Sequence, residues 1–568
     1  MPSPHASLRR VSTYLLTAGL FLALAVIHIS LIVYLDNTNL ATTNGLWKAT
    51  GVRAWEYATA QPFDSGGLLY MPAYGYLCRL IPDRAVSYGE HGEIVTYRKM
   101  AMLNAFFSAL ASSAVFLLAL RFTGSVLAAV VVALAHASAG FVLLHGLNSE
   151  DVTPAYAFFV LSVLFFFGFV HTRSLSRLLL CAVFLVLTTL FHWTLMIPAL
   201  AALVSAQIAL VVSRRHRAWF LAAFPLVFVG MLWIFALSLP FLVPYLDYSL
   251  WKLLYPPKAA APSGWLGFRL EKLAYALVGI GNYFLGASQF HFKDLFQSPQ
   301  LERSAISWLY ALITVGTCTA ALFSRRASGN LKLLAGFCLV VFGVGELEHL
   351  YSQPQDPQSQ IQPMFVSVVG LIIIMNHLRG RLSLREFRVA AACVILVSLT
   401  IGVWNVSLLA VGRGADSRAV ATVKQLERIF APGEVVVVSH GYEVWNTWWY
   451  IEAHRANRDD YLGGSIHVAS PFSNHAGMST TAAAEWVKER VADAFASGRR
   501  VVACSLWVQE KAEFAALMST VLDGAGAGAY YDALRGAFPT GRTWDTPVGQ
   551  FVELLPAGGS YLGDAGGR

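Results

Sequence analysis

The stretch HGLNSEDVTPAY, residues 145–156, sets a polar turn between two long apolar runs. Its polar residues include Asn148, Ser149, Glu150 and Asp151. The positive end of the helix dipole stabilises acidic residues in a first turn, and proline suits the same turn. Asp151 or Thr153 is therefore a candidate N-cap. Two adjacent carboxylates at the end of a membrane helix would also suit a catalytic site, and the topology of the chain bears on that choice.

The composition is that of a polytopic membrane protein. The chain has 568 residues, of which 56% are hydrophobic and 13% charged, whereas soluble domains carry about 25% charged residues. Its net charge of +8 is expected to come from cytoplasmic Lys/Arg loops, so we predict no nucleic-acid partner. The six cysteines form no CxxC pair, which argues against a metal knuckle or a disulfide framework.

A spanning helix needs about 20 apolar residues, and roughly eleven segments qualify. They are residues 12–35, 98–121, 124–145, 153–171, 175–193, 195–213, 218–243, 304–323, 331–347, 362–378 and 388–411. The fifth and sixth segments lie close together and could form a tight hairpin. Residues 1–411 are therefore predicted to form a transmembrane domain.

Lys/Arg clusters give the orientation. They occur at residues 9–10, 173–177, 213–217, 324–332 and 379–388. All five fall on one side of the predicted membrane, which is expected to be cytoplasmic and to hold the N-terminus. The outer side then receives the loops 36–97 and 244–303. Residues 273–288 are also apolar, but counting them as a span would put the cluster 324–332 outside, so an interfacial helix is predicted there.

Residues 412–568 have a different character and are predicted to lie on the outer face. GEVVVVSHGYEVW indicates a buried strand, TTAAAEWVKERVADAFASGRR an amphipathic helix and VVACSLWV a second strand. This order predicts a small extracytoplasmic α/β domain. The fold class is therefore a polytopic α-helical membrane protein with a C-terminal α/β domain.

Acidic residues collect at three helix ends on the predicted outer side. Asp36 follows the first span, and Glu150 and Asp151 precede the fourth. The ninth span closes with Glu346, Glu348 and His349. His192, at another outer helix end, is expected to be a packed, hydrogen-bonded histidine.

This arrangement resembles the GT-C glycosyltransferase superfamily, in particular its bacterial branch of aminoarabinose transferases and protein mannosyltransferases. The shared features are a long first outer loop, an acidic residue directly after the first helix, a second acidic cluster at the turn between the third and fourth helices, and an outer C-terminal domain. The likeness covers most of residues 1–411. The last outer turn differs, since HLYSQPQDPQ stands where an Arg-Tyr-x-x-Pro type of motif is expected.

The resemblance implies an inverting transfer of a sugar from a polyprenyl-phosphate-linked donor to a lipid, glycan or protein acceptor. Asp36 is the expected base for the acceptor hydroxyl, with Glu150 and Asp151 as further catalytic residues. Their structural alternatives are a simple helix stop for Asp36 and capping for the other two. If the three bind a metal, their oxygen ligands would suit Mg or Mn; metal use stays open.

The leaving lipid phosphate needs cations, and Arg269, Lys272 and His349 are the preferred candidates. Tyr351 and Gln355 could contact sugar hydroxyls. The alternatives are interfacial snorkelling for the basic residues and an ordinary polar turn for the other two. The predicted setting is the bacterial inner membrane, in contact with its lipids.

Three other classes of protein remain open. An O-antigen ligase or polymerase would use Arg/His-rich outer loops, which loop 244–303 could supply. A lipid-linked sugar transporter would show charged or broken helices near the bilayer midplane and usually a repeat, and neither is evident. A non-catalytic assembly subunit is the third alternative.

Overall fold

A computed structural model describes most of the chain. The described residues are 4–37, 44–56, 69–86, 95–192, 195–212, 228–230, 271–286, 300–351, 361–431, 433–439, 464–468, 479–518 and 524–556. The predicted span 218–243 lies almost wholly outside them.

Long apolar helices make up the first part of the fold. In chain order the helices are α1 (Pro4–Leu35), α2 (Asn44–Glu56), α3 (Tyr70–Cys78), α4 (Val95–Thr123), α5 (Val126–Ala137), α6 (Gly140–Gly146), α7 (Val152–Thr172), α8 (Leu175–Phe191), α9 (Met196–Val212), α10 (Glu271–Asn282), α11 (Gln300–Phe323), α12 (Gly329–Tyr351), α13 (Ile361–Arg381) and α14 (Leu384–Leu409). Within the described residues, 7 helices are long and apolar enough to cross a membrane, and the bent pair α5–α6 could make an eighth.

The polytopic helical fold is confirmed, and each predicted span that falls on described residues coincides with one helix or, for 124–145, with the bent pair α5–α6. The count of roughly eleven spans stays a prediction, because α8 and α9 are shorter apolar helices and one segment is not described. The segment 273–288 contains α10, which has 12 described residues and so measures about 18 Å. Its interfacial placement stays a prediction.

The predicted span 124–145 is divided between two helices, because α5 and α6 meet at an angle of 63°. The freed backbone groups are paired elsewhere: the Gly140 N–H donates to the Phe284 carbonyl at 2.9 Å. The buried Asn405 amide of α14 donates to the carbonyls of Ser138 at 2.9 Å and Phe284 at 3.0 Å. A broken helix is tolerated within a membrane bundle where such partners replace the lost helical bonds.

The C-terminal part contains a five-stranded sheet of order β2-β1-β3-β5-β4. Its strands are β1 (Val435–Ser439), β2 (Gly464–His467), β3 (Arg500–Ala503), β4 (Thr540–Thr546) and β5 (Gly549–Leu554), and its helices are α15 (Ala415–Ile429), α16 (Thr480–Ala496), α17 (Lys511–Met518) and α18 (Gly524–Arg535). β1 is parallel to β2 and β3, whereas β5 is antiparallel to β3 and β4. The predicted α/β character is confirmed; the boundary at 411/412 stays a prediction.

The valines of β1 explain why this sheet is covered on both faces. Val435 and Val437 belong to an apolar cluster with Leu426 of α15, while Val436 belongs to a second cluster with Val487 of α16. Alternate residues of a strand point to opposite faces, so an unbroken valine run indicates two buried faces.

The end of α1 is joined directly to the segment that begins the C-terminal part. The Gly414 N–H donates to the Leu35 carbonyl at 2.9 Å, and Arg413 Nε donates to the Tyr34 carbonyl at 3.1 Å. The Arg413 guanidinium also lies 4.1 Å from the centre of the Tyr34 ring. These contacts fix the chain directly before Asp36.

Candidate active site

The polar turn between α6 and α7 is buried, and an ammonium group neutralises part of its charge. Glu150 is 0% exposed and Asp151 1%. Buried carboxylates are costly unless they are paired. The Nζ of Lys48, in α2, lies 3.1 Å from Glu150 Oε2 and 2.6 Å from Asp151 Oδ1. The two carboxylates therefore tie α2 to the start of α7.

Asp151 has a second partner in His192, which follows α8. The Nδ1 of His192 lies 3.3 Å from Asp151 Oδ2. Burial disfavours the ionised form of Asp151, but the Lys48 charge and His192 together outweigh burial and hold its pKa well below the usual value. His192 is packed, as predicted, and its partner is one of the predicted site residues.

Asp151 occupies the predicted N-cap position of α7 but does not cap the helix with its side chain. Both of its carboxylate oxygens instead face Lys48 and His192. Thr153 does not cap the helix with its side chain either; its hydroxyl donates to the His145 carbonyl at 2.7 Å. The carboxylate thus serves a tertiary ion pair.

Side chains of α3 and α4 hold the backbone of this turn. Asn104 Nδ2 donates to the carbonyls of Asn148 at 2.6 Å and Glu150 at 2.7 Å. The Tyr70 hydroxyl donates to the Ser149 carbonyl at 2.6 Å. Burial raises the pKa of Tyr70 well above its usual value, so this hydroxyl stays a donor at neutral pH.

Asp36 stands at the end of α1 between a guanidinium and a hydroxyl. Its Oδ1 lies 2.8 Å from Arg98 Nη2, and its Oδ2 accepts a hydrogen bond from Ser417 of α15. The side chain is 17% exposed, the most of the three predicted catalytic carboxylates. Its φ of 42° is in the left-handed region, a conformation that costs free energy in a non-glycine residue and is frequent at functional sites.

The first turns of α4 carry two cations that face different acidic groups. Arg98 binds Asp36. Lys99 Nζ lies 2.5 Å from Glu56 Oε1 and 2.6 Å from Asp83 Oδ1. Basic residues that follow the first outer loop in sequence therefore fasten that loop and the end of α1 to one helix.

The predicted metal set does not fit this geometry. The Lys48 ammonium occupies the place between Glu150 and Asp151 that a divalent ion would need, and Asp36 is engaged by Arg98 and Ser417. Among the described residues, no group of three or more His, Cys, Asp or Glu side chains could hold a metal ion.

The predicted substrate-binding residues are distributed differently. His349, near the end of α12, is 4% exposed and lies within electrostatic range of His192, which connects it with Asp151. Lys272 is buried in α10. The side chain of Tyr351 and all of Arg269 and Gln355 lie outside the described residues. The structure therefore connects His349 alone with the predicted carboxylates.

Lys48 and Ser417 are functional candidates that sequence reasoning missed. Lys48 lies 102 positions from Glu150, and Ser417 lies 381 positions from Asp36. The one available signal was a lysine in a largely apolar segment of the first outer loop, NGLWKATGVRAW. A buried lysine requires an acidic partner, but the sequence does not indicate which carboxylate that is.

Comparison with solved structures agrees with the predicted fold. The crystal structure of ArnT from Cupriavidus metallidurans bound to undecaprenyl phosphate is similar over 94% of this chain and 97% of that chain, with a TM-score of 0.51 and 13% sequence identity. The chain has the ArnT fold. The apo structure of the same ArnT is similar over the same shares, with a TM-score of 0.40 and 12% identity. No protein-family model and no curated protein matches the sequence.

The similarity to ArnT confirms the predicted polytopic helical fold. At 13% identity the similarity concerns the fold alone. Roles for individual residues therefore rest on the contacts of Asp36, Asp151 and their partners.

Proposed function

We propose that this protein is an inverting glycosyltransferase that moves a sugar from a polyprenyl-phosphate donor to an acceptor hydroxyl. The ArnT fold supports this class of enzyme, and one ArnT structure with that fold holds undecaprenyl phosphate. The observation that carries the proposal is the partly exposed Asp36 carboxylate, held by Arg98 and Ser417 at the end of α1.

The reaction is a displacement at the anomeric carbon of the sugar. The acceptor oxygen forms a bond to that carbon while the bond to the phosphate oxygen breaks, and polyprenyl phosphate leaves with the electron pair. The acceptor proton passes to Asp36. A base must come within hydrogen-bond reach of the hydroxyl, and Asp36 is 17% exposed. Attack opposite the leaving group inverts the anomeric configuration.

Glu150 and Asp151 act through Lys48 rather than on the substrate. Both carboxylates are buried and share the Lys48 ammonium, so neither is placed to take a proton from an incoming hydroxyl. Their proposed role is to position α2, and with it the first outer loop, against α7. Rigid support of this kind keeps reacting groups in register.

Arg269, Lys272 and His349 stay the proposed contacts to the lipid phosphate, with Tyr351 and Gln355 as contacts to the sugar. The proposed location is the bacterial inner membrane, with the N-terminus in the cytoplasm and the C-terminal α/β part outside. The acceptor is a lipid, a glycan or a protein.

The test is an assay of the purified full-length protein with polyprenyl-phosphate donors that carry different monosaccharides. Transfer of labelled sugar and release of polyprenyl phosphate are followed together, and the anomeric configuration of the product is determined by NMR. We expect equal amounts of both products and inversion of configuration. Retention of configuration, or transfer only of whole lipid-linked glycans, would contradict the proposal.

A further inference from the structure

The outer ends of α12 and α13 hold buried polar groups that have no hydrogen-bond partner. Gln362, the second residue of α13, is 0% exposed, and neither its Oε1 nor its Nε2 has a partner. The Nδ1 of His349 and the Oε1 of Glu346 are also buried atoms without a hydrogen-bond partner. Nearly all buried polar groups in proteins are hydrogen-bonded, so each exception needs an explanation.

The side chain of Gln362 in α13 packs against Gly345 of α12. A Cβ on Gly345 would come 2.3 Å from Gln362 Cγ, so the glycine is what admits the glutamine side chain between the two helices. Glu346 follows Gly345 in sequence, and His349 lies one helical turn further along α12. A larger residue at position 345 would displace Gln362.

The same group adjoins the charged cluster of the candidate active site. His192 lies 3.3 Å from Asp151 Oδ2 and within electrostatic range of both Glu348 and His349. The unpartnered groups therefore lie at the end of the bundle where the predicted carboxylates are found.

We propose that Gln362, with Glu346, forms a subsite for the hydroxyls of the donor sugar, next to the proposed phosphate contact His349; this rests on the proposed function. A glutamine amide offers two donors and an acceptor side by side, and a carboxylate accepts. Adjacent sugar hydroxyls both donate and accept, so they match this set. A phosphate could not pair with the Glu346 carboxylate, and the amide offers it no charge.

The experiment compares binding of two probes to the purified full-length protein: undecaprenyl phosphate, and undecaprenyl phosphate that carries glucose, mannose or galactose. The variant is Gln362→Met, which keeps the volume and removes the hydrogen-bonding groups. Gln207→Met is the matched control, because Gln207 of α9 is also buried with both amide atoms unpartnered. Gln207 lies near the C-terminal end of its helix, whereas Gln362 lies at the N-terminal end of α13.

We expect wild type to bind at least one sugar-bearing lipid about tenfold more tightly than undecaprenyl phosphate, the factor that one net hydrogen bond supplies. Gln362→Met should lose this preference, bind undecaprenyl phosphate normally and show an unfolding temperature equal to or above that of wild type. Gln207→Met should keep the preference. Glu346→Leu offers a second variant with the same expected loss.

An unchanged preference for the sugar in Gln362→Met would overturn the subsite, and so would a wild type that binds the three sugar-bearing lipids no better than undecaprenyl phosphate. Failure of wild type to bind undecaprenyl phosphate at all would instead count against the proposed function. The two failures are therefore distinct.

Discussion

Ser417, in the first turn of α15, donates a hydrogen bond to the carboxylate of Asp36, at the end of α1. Arg98 holds the other carboxylate oxygen at 2.8 Å. The C-terminal α/β part therefore contacts the proposed base. Next to Asp36, the Gly414 N–H donates to the Leu35 carbonyl at 2.9 Å and joins the two backbones. In this account the C-terminal part helps to position the group that accepts the proton.

Removal of the Ser417 hydroxyl should slow sugar transfer. A hydrogen bond to a charged group contributes about 1.5–3 kcal/mol, so we expect Ser417→Ala to lower kcat roughly 10- to 100-fold with the donor KM little changed. Ser417→Thr should restore most of the rate. Ser407→Ala is the control, since the Ser407 hydroxyl bonds only within its own helix. A Ser417→Ala enzyme with normal kcat would refute a positioning role.

Loss of Lys48 should destabilise the bundle, because it leaves two carboxylates buried without their cation. Breaking a buried ion pair costs about 3–5 kcal/mol, which thermal unfolding in detergent would report as a lower midpoint for Lys48→Met. The added changes Glu150→Gln and Asp151→Asn should recover part of the loss. Lys511→Met removes an exposed ion pair with Asp532 and should cost about 1 kcal/mol or less. Equal effects of the two lysine variants would contradict the buried cluster.

The lowered pKa of Asp151 predicts acid sensitivity. The carboxyl has a pKa near 3.9 in an unfolded chain and a lower one in the folded protein, so its stabilising contribution is complete above about pH 5. As the pH falls below about 4, the unfolded chain gains its proton first and the contribution shrinks. The stability difference between wild type and Asp151→Asn should therefore decrease as the pH falls from about 4 to 3. A difference that grows in that range would show the opposite sign of the pKa shift.

Asn405 should be the residue of α14 most sensitive to substitution. Its amide donates to Ser138 and Phe284 and accepts from the Gly286 N–H at 3.1 Å, so Asn405→Leu leaves several buried backbone groups unpaired. At about 1–3 kcal/mol for an unpaired buried group, we expect a loss of about 2–4 kcal/mol. Ser398→Ala, which removes a hydroxyl bonded within the same helix, should change stability much less. A small effect of Asn405→Leu would mean that the break between α5 and α6 does not depend on it.

The features that could be predicted from the sequence are those that depend on a local pattern of residues. Apolar runs located the membrane helices, and the acidic residues Asp36, Glu150 and Asp151 marked their ends. The break after α5 was not predicted because the sequence around it stays largely apolar, and Asn405, whose amide donates to the carbonyls of Ser138 and Phe284, is distant in sequence.

The partners of the carboxylates were not predicted either, because they are distant in sequence. Lys48 and Ser417 meet Asp151 and Asp36 only through tertiary contacts across 103 and 381 positions, and no periodicity in the sequence records such a pairing. Asp151 shows the consequence: its place before α7 predicted a helix cap, whereas burial beside a lysine made it an ion-pair partner.

The central claim is that Asp36 accepts the proton of the acceptor hydroxyl, and a single-turnover comparison of Asp36→Asn with wild type tests it most directly. Donor binding is measured in parallel, and Asp532→Asn, which also removes the carboxylate of an ion pair, is the control. General bases contribute about 10²- to 10⁴-fold, so Asp36→Asn should bind donor normally and transfer sugar at least a hundredfold more slowly, while Asp532→Asn behaves as wild type. Near-normal transfer by Asp36→Asn would contradict the account.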